Sequence, residues 1–231
     1  MREKRICRPL SDALPLFMPI RANSGQMPQE ISLAAHDISC QRGGRLLFER
    51  LSFSLGKGES LLVTGPNGAG KTSLLRMIAG LLPLHAGSLE GGDDSVPLPE
   101  LCHYVGHVNG IKSALSLSEN AAFWADFLGG GSSDLEAAFQ TFGLGNLEEL
   151  PAGLLSAGQK RKLALLRLFA ARRPIWLLDE PSVSLDAPSV AALDKAINRH
   201  LAQGGIAIIA SHTPLRLRFT QELALKREQL P

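Results

Sequence analysis

The stretch Gly65–Thr72 constrains the fold of this chain more than any other part of the sequence. It reads GPNGAGKT, follows the apolar run Leu61–Val63 and precedes the helix-like run Ser73–Ala79. A glycine-rich turn between a buried strand and a helix lets successive backbone N–H groups point at phosphate oxygens. Lys71 adds a positive charge between the β- and γ-phosphates, and the Thr72 hydroxyl is suited to hold Mg²⁺. The flanking strand and helix disfavour the alternative, a glycine-rich turn that only caps a helix. The residues assigned to phosphate binding are Gly65, Pro66, Asn67, Gly68, Ala69, Gly70, Lys71, Thr72 and Ser73.

Length and composition leave room for a real core and give no sign of a nucleic-acid partner. The 231 residues are enough for one large domain or two small ones. Charged residues make up 20% of the chain, the net charge is +2, and the sequence has neither a long basic run nor interleaved aromatic residues. The composition therefore lacks a footprint for nucleic acid, and we expect any acidic ligand to be met locally, at a loop.

The three cysteines favour a reducing compartment. Cys7, Cys40 and Cys102 are odd in number, far apart and outside any C-x-x-C pattern. This arrangement argues against disulfides and against a zinc site. We interpret all three as ordinary small apolar or surface residues.

The sequence predicts that the polypeptide does not cross a bilayer by itself. Its best apolar run, Ile206–Ala210, has the length of a strand, whereas a membrane-spanning helix needs roughly 18 apolar residues. Residues 1–30 begin with a basic cluster and continue with an apolar part, but Pro15 and Pro19 interrupt that part. We interpret residues 1–30 as a disordered extension or as a start codon placed too early, with Met27 the beginning of the folded domain.

The first part of the folded region, from residue 31 to residue 90, has the pattern of an antiparallel sheet. Short strand-like pieces occur at Ile31–Ala34 and within Leu46–Leu55, and Arg42–Arg45 separates them. Gly87–Glu90 is a candidate edge strand. We expect an N-terminal antiparallel β subdomain that leads into the phosphate loop.

The middle of the chain predicts an inserted small helical subdomain. After a strand at Cys102–Gly106, a helix is expected to begin at Ser118 and to end at Gly129, and a second helix to run over Asp134–Phe142. The insertion covers about residues 108–155, or about 108–170 if the next helix is counted with it.

The last part of the chain alternates helix and strand. A helix follows Ser156, a continuously apolar strand at Pro174–Pro181 ends in Asp179 and Glu180, and the strand Ile206–Ala210 is followed by Ser211 and His212. Such alternation predicts a parallel sheet, whose ligand crevice lies at the carboxyl ends of its strands. The polar groups named so far are expected to converge there.

Five segments occur in the order and spacing of an ABC-type ATPase subunit, which the chain resembles over about residues 31–212. The segments are Gly65–Thr72, Leu155–Gln159, Leu177–Pro181, Ser184–Asp186 and Ser211–His212. The resemblance implies an α/β P-loop NTPase fold for residues 31–231, ATP hydrolysis, and ATP and Mg²⁺ as cofactors.

The resemblance also implies roles for three residues of the carboxyl-end crevice. Asp179 is similar to the aspartate that orders the Mg²⁺ shell, and Glu180 to the general base that takes a proton from the attacking water. His212 is similar to the switch histidine that contacts the γ-phosphate. The alternatives are a surface or helix-capping pair for the two carboxylates and a structural role for the histidine.

A second group of residues implies a dimer. Ser156, Gly158 and Gln159 resemble the signature that reaches the γ-phosphate of the other subunit, with Ala157 in place of the usual glycine. Asp186 resembles the residue of the loop that connects the two sites. A single chain would then hold only half of each site, and a second copy of itself is an expected partner.

Two residues depart from the family pattern. Arg42 stands where the family carries an aromatic residue that stacks on adenine; a guanidinium plane can also stack on a base. His107 stands where the family carries a glutamine that contacts Mg²⁺ and the water. Both are assigned to the nucleotide site.

The segments Tyr104–Lys112, Arg45–Phe48 and Gly68–Arg76 resemble the haem exporter ATPases of cytochrome c biogenesis. This resemblance implies a membrane-spanning permease subunit as partner and a peripheral location on the cytoplasmic face of the inner membrane. The alternatives are the ATPase subunit of another exporter, for peptide, lipid or drug, in which glutamine would be expected at position 107, and a soluble ABC-type protein of DNA repair or translation.

Overall fold

The computed structural model of the chain describes residues 31–92, 96–129, 133–213 and 215–226. Eight strands and five α-helices lie within these ranges. In chain order they are β1 (Leu33–Arg42), β2 (Arg45–Leu55), β3 (Ser60–Thr64), α1 (Lys71–Ile78), β4 (Ala86–Gly91), β5 (Cys102–Val105), α2 (Leu117–Leu128), α3 (Ser133–Thr141), α4 (Ala157–Ala170), β6 (Ile175–Asp179), α5 (Ala187–Ala202), β7 (Ile206–Ala210) and β8 (Gln221–Ala224).

The N-terminal strands form a three-stranded antiparallel sheet in the order β2-β1-β4. A two-residue turn at Gly43 and Gly44 joins β1 to β2, and both residues have a left-handed φ, 55° and 77°. Such a turn matches the twist of a hairpin and favours glycine at both positions. The predicted hairpin and its edge strand are present, and the first strand is longer than predicted because it continues to Arg42.

The second sheet has five parallel strands in the order β5-β6-β7-β3-β8. Strands β6 and β7 are buried along their whole length, as expected for central strands that are covered on both faces. The predicted α/β fold, with a parallel core sheet and an N-terminal antiparallel subdomain, is confirmed.

Strand β8 is missing from the prediction because its signal is not in its own sequence. Its four residues read QELA, and two of them are exposed. The strand is attached to β3 by backbone pairing and by Thr220, whose hydroxyl donates to Ser60 O (2.8 Å) and accepts from Ser60 N (2.9 Å). This contact joins residues 160 positions apart, so a local pattern does not reveal it.

The helical part between β5 and β6 differs from the prediction at its first cap. Ser116, not Ser118, caps α2: its hydroxyl accepts from Glu119 N, and the Glu119 carboxylate accepts from Ser116 N. This reciprocal pair is a capping box, which a serine two residues later cannot form with Glu119. Gly129 ends α2 as predicted, and α3 lies one residue before its predicted position at each end.

The parallel sheet separates two apolar cores because neighbouring residues of a strand face opposite sides. On β6, Leu177 belongs to the core beneath α1 and the antiparallel sheet, whereas Trp176 and Leu178 belong to the core beneath α2, α4 and α5. Both faces of the sheet are thereby fixed, and its carboxyl edge stays open to a ligand.

Several predictions remain outside what the structure tests. Residues 1–30, with Met27 and Cys7, lie outside the described residues, and the domain boundaries stay predictions. Cys40 and Cys102 are buried free thiols, and burial raises the pKa of Cys102 to about 12. Among the helices of the described ranges, none has the length and apolar character to span a membrane.

Candidate nucleotide site

A cavity of about 390 Å³ opens at the carboxyl ends of the neighbouring strands β3, β7 and β6. It collects most of the predicted site residues in one place. The lining residues are Arg42, Leu47, Asn67, Gly68, Gly70, Lys71, Thr72, Ser73, His107, Asp179, Glu180 and His212. The three polypeptide segments that follow β3, β6 and β7 therefore meet as the parallel sheet predicted.

Two glycines allow the phosphate loop to pass close to its neighbours. A Cβ on Gly65, whose φ is 133°, would clash with the carbonyl oxygen of Leu225, and a Cβ on Gly70, whose φ is 105°, would lie 2.9 Å from the Phe48 ring. Only glycine fits both the space and the backbone conformation. Gly70 is also the N-cap of α1 and supplies no side-chain cap, so the N–H groups of the first turn face the cavity without an internal partner.

Lys71 reaches across the loop to its own backbone. Its Nζ donates to Gly65 O (2.7 Å) and Pro66 O (3.3 Å) and lies 2.8 Å from His212 Nε2. Burial lowers the pKa of Lys71, and the charges of Glu180 and Asp179 act in the opposite direction. The ammonium group is thus held at the centre of the loop, where an anion can replace its carbonyl partners.

Thr72 and Asp179 form the oxygen pair of the cavity. The Thr72 hydroxyl donates to Asp179 Oδ2 at 2.8 Å, and Asp179 is almost fully buried at the end of β6. A hydroxyl and a carboxylate suit Mg²⁺, which takes few protein ligands and completes its shell with water and phosphate oxygens. No group of three or more His, Cys, Asp or Glu side chains in the described part of the chain is arranged to hold a metal ion by itself.

Glu180 has an unusual backbone and one unpaired carboxylate oxygen. Its φ is 47°, and its N–H donates to Ala210 O at 2.8 Å across the end of β7. Oε2 accepts from the backbone N–H of His212 at 3.2 Å. Oε1 is buried and has no hydrogen-bond partner among the residues that the structure describes. A left-handed glutamate is a strained feature of the kind that occurs at functional sites.

His212 lies between the lysine and the carboxylate. Because the ammonium group of Lys71 can only donate, Nε2 of His212 accepts from it, and the ring proton is on Nδ1. Nε2 is also 3.1 Å from Asn67 Oδ1. The ring is 3.8 Å from Glu180 Oε1.

The two departures from the family pattern both face the cavity. Arg42 reaches it from the end of the β1–β2 hairpin, and His107 from the loop after β5. Leu47 also lines the cavity and is absent from the prediction. The available signal is its place on β2 two residues after Arg45, the hairpin partner of Arg42, which puts Leu47 on the same face of the strand as Arg45. The roles of Arg42 and His107 toward a nucleotide stay predictions.

The signature residues lie elsewhere. Ser156, Gly158, Gln159 and Asp186 are not among the described residues that line the cavity. Ser156 is exposed and caps α4, accepting from Gln159 N at 3.2 Å, while Gln159 Oε1 accepts from Ser156 N at 2.8 Å. The roles of these four residues toward a nucleotide stay predictions.

Asp186 has a local structural role at the start of α5. Its carboxylate accepts from Ser189 N at 2.9 Å and pairs with Lys162 Nζ at 2.9 Å. Hydrogen bonds from Ser189 and then from Lys162 lower the pKa of Asp186 to about 2. A cap of this kind also places the preceding loop, Ser184–Asp186, beside α4, where Ser184 O lies close to Gly158.

A buried arginine of α4 is the main site residue that the prediction omits. Arg161 is 4% exposed and donates to backbone oxygens on both sides of Glu180. A signal for it exists in the sequence: Arg161 shares a helix face with the buried residues Leu165 and Leu168, at spacings of four and seven.

Comparison with known proteins defines the class of this site. The family model described as ABC transporter matches residues 48–183, more than half of the chain. The chain therefore belongs to the ABC transporter family, as an ATPase of that family. A solved structure of a putative ABC transporter ATP-binding protein from Pyrococcus furiosus has the same fold, with a TM-score of 0.72, 25% identity, and coverage of 84% of this chain and 97% of that one.

More similar proteins narrow the class. The chain is 51% identical over 185 residues to the cytochrome c biogenesis ATP-binding export protein CcmA of Nitrobacter winogradskyi. The alignment covers 79% of this chain and 92% of that protein. It is 50% identical over 196 residues to CcmA of a Chelativorans species, and this alignment covers 84% of this chain and 97% of that protein. Within the ABC transporter family the chain belongs with the CcmA proteins, and the resemblance drawn from Tyr104–Lys112 is confirmed.

Proposed function

We propose that the chain is the ATP-hydrolysing subunit of a membrane complex that exports haem, or releases haem from its chaperone, during cytochrome c maturation. The observation that carries the nucleotide part is the meeting of Lys71, Asp179, Glu180 and His212 in one cavity at the phosphate loop. The similarity to CcmA proteins at about half identity supports the cytochrome c part.

We assign Thr72 and Asp179 to Mg²⁺, because their oxygens form the hard-ligand pair of the cavity. Bound there with ATP, Mg²⁺ would neutralise charge that develops on the β- and γ-phosphates. Asp179 is fixed by burial, and Thr72 by its place at the start of α1, so neither residue has to move far to bind.

Glu180 is assigned as the general base. Its Oε1 is the unpaired acceptor of the site and can take the proton of an attacking water. Its Oε2 is held by the His212 N–H, which fixes the plane of the carboxylate. Lys71 and the His212 ring lie on the γ-phosphate side, and Lys71 would exchange its carbonyl partners for phosphate oxygens.

Two chains would complete each site. Ser156 caps α4 and is exposed, and Gly158 is half-buried in the first turn of that helix. Both lie outside the cavity of their own chain, where a second copy can present its nucleotide. ATP would then act as the contact that closes the dimer, with Lys71 of one chain and Ser156 of the other on the same γ-phosphate.

The helical part offers a surface for a permease subunit. Val108 is 76% exposed, and Phe123, Trp124 and Phe127 form a ring cluster on α2, with the two phenylalanine centroids 6.1 Å apart. Val108 follows His107, which lines the nucleotide cavity, so a contact at this surface lies one residue from the nucleotide site. This arrangement supports docking on a membrane subunit at the cytoplasmic face of the inner membrane.

Deletion and co-purification in the native host test the proposal. Loss of the gene product should abolish mature c-type cytochromes, the full chain should restore them, and Lys71→Ala should not, because nucleotide binding is lost. Lys195→Ala, at an exposed lysine of α5, is the matched control and should restore them fully. Recovery of a permease unrelated to cytochrome maturation, together with normal cytochromes in the deletion strain, would refute the haem role.

A further inference from the structure

Arg161 is a buried cation, and all its hydrogen bonds go to residues at the carboxyl ends of strands β5 and β6. Its side chain uses the five N–H donors that a guanidinium has. The acceptors are Pro181 O (3.2 Å) for Nε, Gly106 O (2.7 Å) and Asn109 Oδ1 (3.2 Å) for Nη1, and Asp179 O (2.8 Å) and Glu180 O (2.8 Å) for Nη2.

These bonds tie three segments together. Arg161 itself is in the second turn of α4, the carbonyls of residues 179–181 end strand β6, and Gly106 and Asn109 flank His107 in the loop after β5. Three of the carbonyls belong to the strained turn around Glu180, whose φ of 47° needs support from its surroundings. Arg161 supplies that support from below the cavity without lining it.

We propose that Arg161 is a positioning residue for ATP hydrolysis, which aligns the Glu180 carboxylate and the His107 loop with the helix that begins at Ser156. The proposal rests on the proposed function, since it concerns the same nucleotide site. Arg161 is buried beneath the peptide groups of the catalytic turn, so it acts on the reaction through Glu180 and His107.

The position of Arg161 on α4 connects the Glu180 turn to the start of that helix at Ser156. In the proposed dimer, Ser156 at the start of α4 contacts the nucleotide of the partner, and Arg161 follows five residues later on the same rigid helix. A shift of α4 on dimer closure is passed through the guanidinium to Glu180 of the same chain. Nucleotide binding at one site of the dimer would thereby change the position of Glu180 at the other site.

Lysine cannot replace this geometry. It offers three donors on a single atom, whereas the acceptors of Arg161 are spread over two segments and match a planar fork. Arg161→Lys therefore keeps the buried charge and removes the alignment, which separates positioning from simple charge balance.

Arg173 provides a matched control within the same sheet. It is 6% exposed, and its Nη1 donates to Glu100 O (2.8 Å), Cys102 O (3.0 Å) and Pro99 O (3.4 Å) at the opposite, N-terminal end of β5. Arg173→Lys disturbs the same kind of buried cluster of carbonyls, far from the cavity.

The test measures ATP hydrolysis, nucleotide affinity and thermal unfolding of the full-length chain, purified with its co-purifying membrane subunits. We expect Arg161→Lys to lower kcat at least about tenfold with KM for ATP within about twofold, since small misplacements of a catalytic group act on kcat. We expect Arg173→Lys and Arg161→Lys to lower Tm by similar amounts, and Arg173→Lys to leave kcat within about twofold of the parental value. Parental kcat for Arg161→Lys, or a loss matched by Arg173→Lys, would overturn the proposal.

A variant with a smaller structural effect keeps the proposal testable if Arg161→Lys does not fold. Asn109→Ala removes one acceptor in a loop that is partly exposed, and we expect kcat to fall about two- to fivefold with an unchanged Tm. A parental kcat for Asn109→Ala would show that the bond from Arg161 to the Asn109 side chain does not align the loop, whose remaining bond to Arg161 is the one at Gly106 O. If the unsubstituted complex itself fails to hydrolyse ATP, the proposed function fails rather than the role of Arg161.

Discussion

The two ends of the parallel strands are built on opposite principles. At the carboxyl end, Lys71, Asp179 and Glu180 bring charges together around an open cavity, and Glu180 keeps both a strained backbone and an unpaired oxygen. At the amino end, the buried side chains of His103, Arg173 and His200 hydrogen-bond to backbone carbonyls. The comparison separates the parts that bind from the parts that stabilise.

Histidines show the contrast most directly. His212 at the carboxyl end is half exposed and contacts Lys71, whereas His103 at the amino end of β5 is buried and hydrogen-bonds Ala171 O at 2.7 Å. His200 is buried nearby, stacked on Trp176 with 4.0 Å between ring centroids. Burial lowers the pKa of His103 to about 3 and of His200 to about 4.

The difference teaches where this fold can tolerate unfavourable features. Hydrogen-bond donors and acceptors that lack a partner until a ligand binds lower the free energy of unfolding. Natural proteins compensate for this loss with favourable packing elsewhere in the same structure. Here the amino end of the same sheet supplies dense packing and satisfied hydrogen bonds. Changes at one end should therefore alter hydrolysis, and changes at the other should alter the free energy of unfolding.

The largest effect is expected from Glu180→Gln. The amide keeps the size of the side chain but cannot accept the proton of water, so hydrolysis should fall about 10²–10⁴-fold. ATP binding should persist and trap a dimer, which size-exclusion chromatography with and without ATP detects. Glu136→Gln, at an exposed glutamate of α3, is the control, and a parental rate for Glu180→Gln would remove Glu180 from the role of base.

Arg173→Ala tests the opposite end. It removes the guanidinium donor from Glu100 O and Cys102 O, and also from Pro99 O, which keeps the Cys102 N–H as a donor. We expect a loss of about 2–4 kcal/mol in the free energy of unfolding. The hydrolysis rate per folded molecule should stay within about twofold. Urea unfolding and phosphate release measure the two quantities, and a selective loss of rate would contradict the separation of the two ends.

Acid should act mainly on the amino end. The unfolded chain binds protons at His103 and His200 below their ordinary value of 6.5, whereas the folded chain binds them only near pH 3 and 4, so stability is fully present above 6.5 and falls as the pH drops. Between pH 7 and pH 4.5 we expect a loss of roughly 2–3 kcal/mol for each histidine. Urea unfolding of the parent and of His200→Gln, which removes one titrating group, should show a weaker pH dependence for the variant.

The smallest effect is expected from Arg42→Ala. If the guanidinium stacks on the base, its loss should weaken ATP binding by about 1 kcal/mol, or about fivefold. Arg42→Tyr should restore or improve the affinity, because an aromatic ring offers the same stacking plane. Unchanged affinity in both variants, measured by equilibrium binding of ATP, would show that Arg42 lies outside the base contact.

The strands and helices that carry the site were predictable because their signals are local. The apolar runs of β3, β6 and β7, the glycine loop and the capping residue Ser156 all lie within short stretches of sequence. β8 was not predictable in the same way, because its attachment through Thr220 to Ser60 joins distant segments. The helix-face pattern could mark Arg161 as buried, but its partners in residues 106–109 are equally distant in sequence. The choice of Ser116 over Ser118 depended on which serine is three residues from Glu119.

The left-handed backbone of Glu180 also limits how the chain can change over evolutionary time. Glycine adopts this conformation without strain, and a single transition in a glutamate codon produces it. Such a substitution relieves the backbone while it removes the carboxylate, so conformational stability and hydrolysis pull in opposite directions at one codon. Only continued selection for turnover keeps glutamate there, and a lineage that no longer needed to hydrolyse ATP would be expected to lose it early.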